Sequence, residues 1–277
     1  MEKKKPTTIR ITRAFKAAGL AGLGLLASCA NFNTFSVQED VTLGLRAYED
    51  VRSKEPLVTS GPALEHVLRV TERLVPAALV DAPSFAQEFP WETVLIQDDS
   101  TLNAFCLPGG KMAVYTGILA VTQDEAGLAV VMAHEIAHAT ARHGTQAMTR
   151  QLALSGGLAM LGVVLEENER DPEYSMAIAS ISATLLTLSY GRDAELEADR
   201  VGLITMARAG YDPRVAVEFW QRMEAQGGGA TPEWLSTHPS HGHRIEQIRS
   251  LLPEALAIWE STQGRGEALQ NRISEKL

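Results

Sequence analysis

The sequence predicts a mainly helical α+β domain in which a small sheet packs against one long apolar helix. Three observations predict it. Apolar residues recur at helical spacing through much of the chain, and two short β-like runs lie close together in its first half. After them comes a stretch, Leu128 to Ala141, that is apolar or small apart from His134, Glu135, His138 and Thr140. A helix that is apolar all round belongs inside a fold, with other elements layered over it.

The elements follow in chain order. Amphipathic patterns at 41–53 and 62–76 predict two helices, the second carrying Leu64, Val67, Leu68, Val70, Leu74 and Val75 on one face. Pro76, Pro83 and Pro90 punctuate the chain beyond it. Trp91 to Gln97 and Lys111 to Tyr115 read as strands, joined by a connection that ends in Pro108-Gly109-Gly110. The apolar helix spans roughly 124–143, opening at Thr122 or Asp124, with neither Pro nor Gly between Leu128 and His143 to break it. Leu152 to Leu165 and Met176 to Leu188 are further apolar stretches, each shorter than the roughly 20 residues a membrane span needs, and are expected to be core or lid helices. Helices are expected from Gly191 to Ala209, Asp212 to Gln226 and His243 to Leu252, with a break at Gly227-Gly228-Gly229.

The chemistry is concentrated in His134-Glu135-Ile136-Ala137-His138. On a helix, residues four apart project from one face about one turn apart, so two neutral imidazoles can converge on one cation. Glu135 is rotated by about 100° from His134. It need not ligate, yet it can reach a water at the cation and take its proton. Buried imidazoles satisfied only by hydrogen bonds are the plainer alternative, and a third ligand on another helix decides against it.

Gly191-Arg192-Asp193-Ala194-Glu195-Leu196-Glu197-Ala198-Asp199 supplies candidates, although by itself such a cluster also reads as a solvated acidic face. Glu195 and Asp199 share a face one turn apart, and Gly202 continues the same face with a residue small enough for close helix packing. Glu195 is therefore the expected ligand and Asp199 its neighbour in support, whereas Glu197 points roughly 200° away from Glu195.

Lys3, Lys4, Lys5, Arg10, Arg13 and Lys16 precede an apolar run that stops at Leu26-Ala27-Ser28-Cys29, the pattern of an export signal. Leu-Ala-Ser-Cys resembles the lipobox of bacterial lipoproteins, which implies cleavage before Cys29 and an acyl anchor on it. Ala30 rather than Asp after the Cys favours the outer membrane, so the expected location is its inner leaflet, facing the periplasm. Without residues 1–28, 19 basic residues face 33 acidic ones, a net charge of −14. Such an acidic domain is expected to bind neither nucleic acid nor anionic lipid by charge, so attachment to membrane falls to the lipid on Cys29. With Cys29 acylated, Cys106 has no partner in the chain, which excludes a structural disulfide and a thiolate zinc cluster; between Phe105 and Leu107 it reads as a small buried hydrophobe. The expected organisation is a signal peptide at 1–28, a tether at 29–40, one catalytic domain at 41–255 and a tail at 256–277.

Taken together, Asn103-Ala104-Phe105 with Pro108-Gly109-Gly110, the His134 to His138 motif, Glu195 to Asp199 with Gly202, and His238-Pro239 with Arg244-Ile245 resemble the HtpX and CAAX prenyl protease family of zinc metallopeptidases over about residues 41–252. The likeness is greatest to its soluble, lipid-anchored branch, which includes LoiP and BepA, and to the mitochondrial Oma protease. The resemblance implies a zincin-like fold with a small sheet against the HExxH helix, one Zn²⁺ per chain held by His134, His138 and Glu195, and Glu135 as base. It also implies a position near the metal for His238 and Arg244. His238 then either caps the zinc reversibly or hydrogen-bonds an oxyanion, while Arg244 orients substrate or the loop; the alternative is a loop-anchoring His and a helix-start Arg. His143, His241 and His243 are expected at the surface.

The function these expectations add up to is a metalloendopeptidase of the cell envelope that acts on unfolded or misfolded envelope polypeptides, which would lie extended along the sheet edge near residues 103–115. The rival is an assembly factor for outer-membrane proteins, working with their assembly machinery, in which the cleft binds unfolded strands and hydrolysis is latent. A zinc hydrolase acting on a non-peptide bond is a third.

Overall fold

The computed structural model describes residues 33–155, 180–181, 183–226, 233–239 and 243–274. It is mainly helical with a three-stranded sheet, as the sequence predicts. Helix α1 (Val37–Lys54) starts at a reciprocal cap, in which Ser36 Oγ accepts from the Glu39 amide and the Ser36 amide donates back to the Glu39 carboxylate. Helix α2 (Pro62–Leu79) opens on Pro62, whose fixed φ suits a first helical turn. It runs three residues past Pro76, where the sequence predicted its end. Pro76 is exposed and so is Glu72, whose carbonyl loses its partner and can be hydrated instead.

Three strands follow: β1 (Glu92–Ile96), β2 (Ala104–Leu107) and β3 (Lys111–Tyr115), in the order β1-β3-β2. β1 runs parallel to β3 and β2 antiparallel to it, with Leu107 opposite Lys111. Sequence reasoning placed β2 in a connection. Its signal is the run Ala-Phe-Cys-Leu before Pro108, and Gly109 and Gly110 close the hairpin in left-handed conformations (φ 78° and 85°) that favour glycine. Helix α1 lies on this turn so closely that a Cβ on Gly44 would sit 1.7 Å from the Pro108 carbonyl oxygen.

Short helix α3 (Thr116–Thr122) leads into α4 (Glu125–Thr140), capped by Asp124, whose side chain accepts from the Gly127 amide at 2.8 Å. Every residue of α4 from Gly127 to Thr140 is buried. The helix is the axle of the domain, touching α2, α3 and β2 as well as the later helices α6 (Arg192–Arg208) and α7 (Val215–Gln226). It passes close to α6 at Gly202, where a Cβ would stand 3.1 Å from the His134 amide nitrogen. Around it run α5 (His143–Ser155), α8 (Glu233–Thr237) and α9 (Arg244–Ser274). Helix α9 continues well past Leu252 and across the expected tail boundary; exposed Pro253 is tolerated for the same reason as Pro76, since Arg249 is exposed too.

Cys106 is buried, as expected. Residues 33–40, placed by the sequence in a tether, are partly ordered against α5. Asn33 Nδ2 donates to Thr145 Oγ1, Phe35 is buried, and Arg142 donates to the Phe35 carbonyl and the Asp40 carboxylate. The expected signal segment with Cys29, most of the first apolar stretch, residues 176–179 and 182 of the second, and Gly227 to Gly229 lie outside the described residues. No described helix is long and apolar enough to cross a membrane.

The tight seat of Gly44 makes a direct prediction. Gly44→Ala drives a methyl into rigid backbone and is expected to cost about 2 kcal/mol, lowering the thermal midpoint by about 4–8 °C. Gly144→Ala, whose new Cβ meets nothing closer than 3.5 Å, serves as the comparison in the same calorimetric scan and should hold or raise the midpoint.

Candidate metal centre

Four side chains from three places in the chain meet beside α4. His134 and His138 project from one face of α4, Glu195 comes from the first turn of α6, and His238 follows α8 directly. His134 Nε2 and His138 Nε2 stand 3.0 Å apart, and His134 Nε2 is 3.2 Å from His238 Nδ1. Glu195 reaches each ring: its carboxylate oxygens lie 3.5 Å from His134 Nε2, 3.4 Å from His138 Nε2 and 3.0 Å from His238 Nδ1. All four residues are at most 3% exposed.

The separations test whether a cation fits. Tetrahedral zinc with bonds of about 2.0–2.1 Å keeps its ligand atoms roughly 3.3 Å apart. Five separations among these atoms, 3.0–3.5 Å and measured to both oxygens of Glu195, are of that size, and three imidazoles with one carboxylate are ligands zinc accepts. His134, His138 and Glu195 could hold the metal, with His238 Nδ1 at the fourth corner. Glu135 stands at the rim of the group. Its Oε1 is 3.3 Å from His238 Nε2 and accepts from the Trp234 indole at 2.8 Å.

A family model described as Peptidase family M48 matches residues 65–252, which contain all of these side chains. The chain belongs to Peptidase family M48. Among its relatives in that family, the mitochondrial metalloendopeptidase OMA1 of Arabidopsis thaliana is 38% identical over 184 residues, covering 66% of this chain and 36% of that protein. OMA1 of Schizosaccharomyces pombe is 35% identical over 229 residues, 81% of this chain and 64% of the relative. A putative beta-barrel assembly-enhancing protease of Vibrio cholerae is 30% identical over 231 residues, 78% of this chain and 45% of the relative. The chain thus spans from about a third to just under two thirds of the length of the curated relatives it matches.

Behind the M48 cluster lies a second layer. Asp199 Oδ1 is 3.1 Å from His134 Nδ1, on the side of the ring away from the cluster. Arg244, at the head of α9, forks between two carboxylates: Nη1 donates to Glu195 Oε2 at 2.8 Å and Nη2 to Asp199 Oδ1 at 2.7 Å. Its guanidinium also lies over the Trp220 ring at 3.7 Å. Arg244 is buried, with its guanidinium engaged by the Glu195 and Asp199 carboxylates. His243 is exposed, as expected, and His241 lies outside the described residues. His143 departs from expectation. It is buried, with Nδ1 3.0 Å from His138 Nδ1. Sequence reasoning also missed Trp234, bound to Glu135, and Tyr190, stacked on His138 with ring centroids 4.0 Å apart. Neither aromatic carries a signal in the sequence, because each reaches the site only through a long-range fold contact.

Electrostatics separate the two imidazoles of α4. Burial pushes the His134 pKa down, but hydrogen bonds to Asp199 and Glu195 outweigh it and lift the value to about 9. His138 is pushed well below the ordinary value by burial and by its neighbouring imidazoles, with Glu195 only partly opposing. Glu195, despite burial, is held far below the carboxylate range by hydrogen bonds from His134, His138 and His238.

For the metal-free protein, a raised His134 pKa stabilises the fold fully below about pH 6.5 and that contribution disappears as pH rises through about 9. If the cluster takes up zinc through His134 at pH 7, the raised pKa of that ring predicts release of about one proton per ion. Calorimetric titration in two buffers of different ionisation enthalpy measures that number. Zinc affinity should climb about tenfold per pH unit from 7 and level off above 9.

Proposed function

We propose that this chain is a zinc-dependent metalloendopeptidase of the cell envelope that removes misfolded or unassembled proteins, held by a lipid on Cys29 at the periplasmic face of the outer membrane. The observation that carries the catalytic part is the Glu135 carboxylate at the rim of a closed His-His-Glu cluster whose edges fit a tetrahedral cation. Membership of M48 supports the reaction class, and the lipobox-like Leu26-Ala27-Ser28-Cys29 supports the location. The names of the Vibrio and Yersinia relatives, beta-barrel assembly-enhancing proteases, support an envelope setting.

His134, His138 and Glu195 would hold the ion, which would supply Lewis acidity at the scissile carbonyl and make water more acidic. Glu135 takes the proton of the attacking water and delivers it to the leaving amine. The Trp234 indole fixes Glu135 Oε1, so the carboxylate keeps one orientation throughout. Arg244 and Asp199 hold Glu195 and His134 in register. Strand β2 is an edge of the sheet and lies against α4, so an extended polypeptide added there would run past Glu135 with main-chain recognition and little sequence preference.

His238 gives specific support to a second reading. Its Nδ1 occupies the corner that substrate and water need, and the whole cluster is shut from solvent. A latent protease that serves chiefly as an assembly factor for outer-membrane proteins would look like this. The two readings part on Glu135→Gln, which should keep one zinc per chain and lose at least about 100-fold of casein cleavage. If proteolysis is the role, complementation of an envelope-stress phenotype goes with it; an assembly role survives the substitution.

His238→Ala opens the fourth corner and is expected to raise casein cleavage several-fold with zinc content unchanged. Equal activity in the variant and the parent discards the cap.

A further inference from the structure

The two ring nitrogens of a zinc-binding histidine have separate jobs, and in His138 the second nitrogen meets an unexpected partner. Nε2 faces the cluster, 3.0 Å from His134 Nε2 and 3.4 Å from Glu195 Oε1. Nδ1 points the other way and finds His143 Nδ1 at 3.0 Å. For Nε2 to offer a lone pair, Nδ1 must carry the hydrogen. His143 Nδ1 must then be the acceptor, which places the hydrogen of His143 on Nε2. That atom lies 3.5 Å from Glu197 Oε2, a carboxylate on the half-exposed side of α6. Each tautomer is set by the next group in the series.

The path of the chain explains how His143 gets there. Continued as a helix, α4 would carry residue 143 about 140° round from residue 138. The chain instead reverses at Arg142, which adopts a left-handed conformation (φ 60°) and is pinned by Asp40 and the Phe35 carbonyl. This turn folds the first residue of α5 back beneath His138, where it is 3% exposed.

We propose that His143, backed by Glu197, is a positioning residue that fixes His138 as the Nδ1–H tautomer and so presents its Nε2 to zinc. His134 receives the equivalent support from a buried carboxylate, Asp199. The two ligands are therefore braced differently, one by a charge and one through a neutral ring. This inference rests on the reading that His134, His138 and Glu195 bind zinc.

The test is the zinc dissociation constant of the full-length protein, by competition with a chromophoric chelator, for the parent, His143→Phe and His143→Asn. Phe keeps a ring and removes the acceptor; Asn restores an acceptor oxygen at the δ1 position. The expected result is binding about 10- to 100-fold weaker for the Phe variant and recovery to within a few-fold of the parent for the Asn variant. Long-range ¹H–¹⁵N spectra of the zinc-loaded parent should show His138 protonated at Nδ1. Zinc bound as tightly by His143→Phe as by the parent overturns the proposal. Equally weak binding by both variants does so too, because ring packing and not the acceptor would then be what matters. A parent that binds no zinc removes the zinc reading itself, a separate outcome.

Discussion

Everything in this domain answers to the cost of placing one carboxylate and three imidazoles inside an apolar interior. Glu195 is 2% exposed, and an isolated carboxylate at such a depth would be prohibitively costly. It is tolerated because Arg244 and the rings of His134, His138 and His238 surround it. Nitrogens that face one another at 3.0 and 3.2 Å cannot all keep their lone pairs without something positive between them. Without a metal ion, hydrogen bonds between the rings take that place, and Asp199 and Glu195 raise the pKa of His134. The same convergence of lone pairs and one carboxylate gives the cluster donors suited to a divalent cation.

The all-apolar character of α4 follows from that demand. A helix buried on every side can be held to its neighbours only by shape, so small residues take over where backbones must approach: Gly202 at the crossing with α6, and Gly127 against the Thr122 carbonyl, 2.0 Å from where a Cβ would stand. Precision at the cluster is thus inherited from packing some distance away. The sheet contributes through β2, which lies against α4 and is steadied by the Pro108 turn beneath α1.

Much of this was legible in the sequence because it rests on local periodicity. The four-residue spacing of His134 and His138, and of Glu195 and Asp199, fixes a shared face whatever the surroundings. The order and rough extent of the helices followed from the same repeat. The failures have a common cause in contacts that periodicity does not encode. Pro76 and Pro253 did not end their helices because each freed carbonyl faces water. Strand β2 was hidden by its brevity and by the turn residues after it. His143 was misplaced because one left-handed residue, Arg142, sends the chain back on itself, and a non-glycine at positive φ announces nothing in a sequence. His238 could be placed near the metal only by likeness to other proteins, since 43 residues separate it from Glu195.

Arg244 Nε is buried and finds no acceptor among the described residues, while the flat face of the same group lies on Trp220. Leaving one donor unsatisfied costs on the order of 1–3 kcal/mol, and the stacked ring and the two-pronged grip on Glu195 and Asp199 offset it. Only a planar, permanently charged fork can make all three contacts together. Lysine, a point charge on a flexible stem, would reach one carboxylate and abandon the other. Charge conservation at this position is therefore no guide to tolerance: the site demands a shape, and its freedom to drift among basic residues is closed.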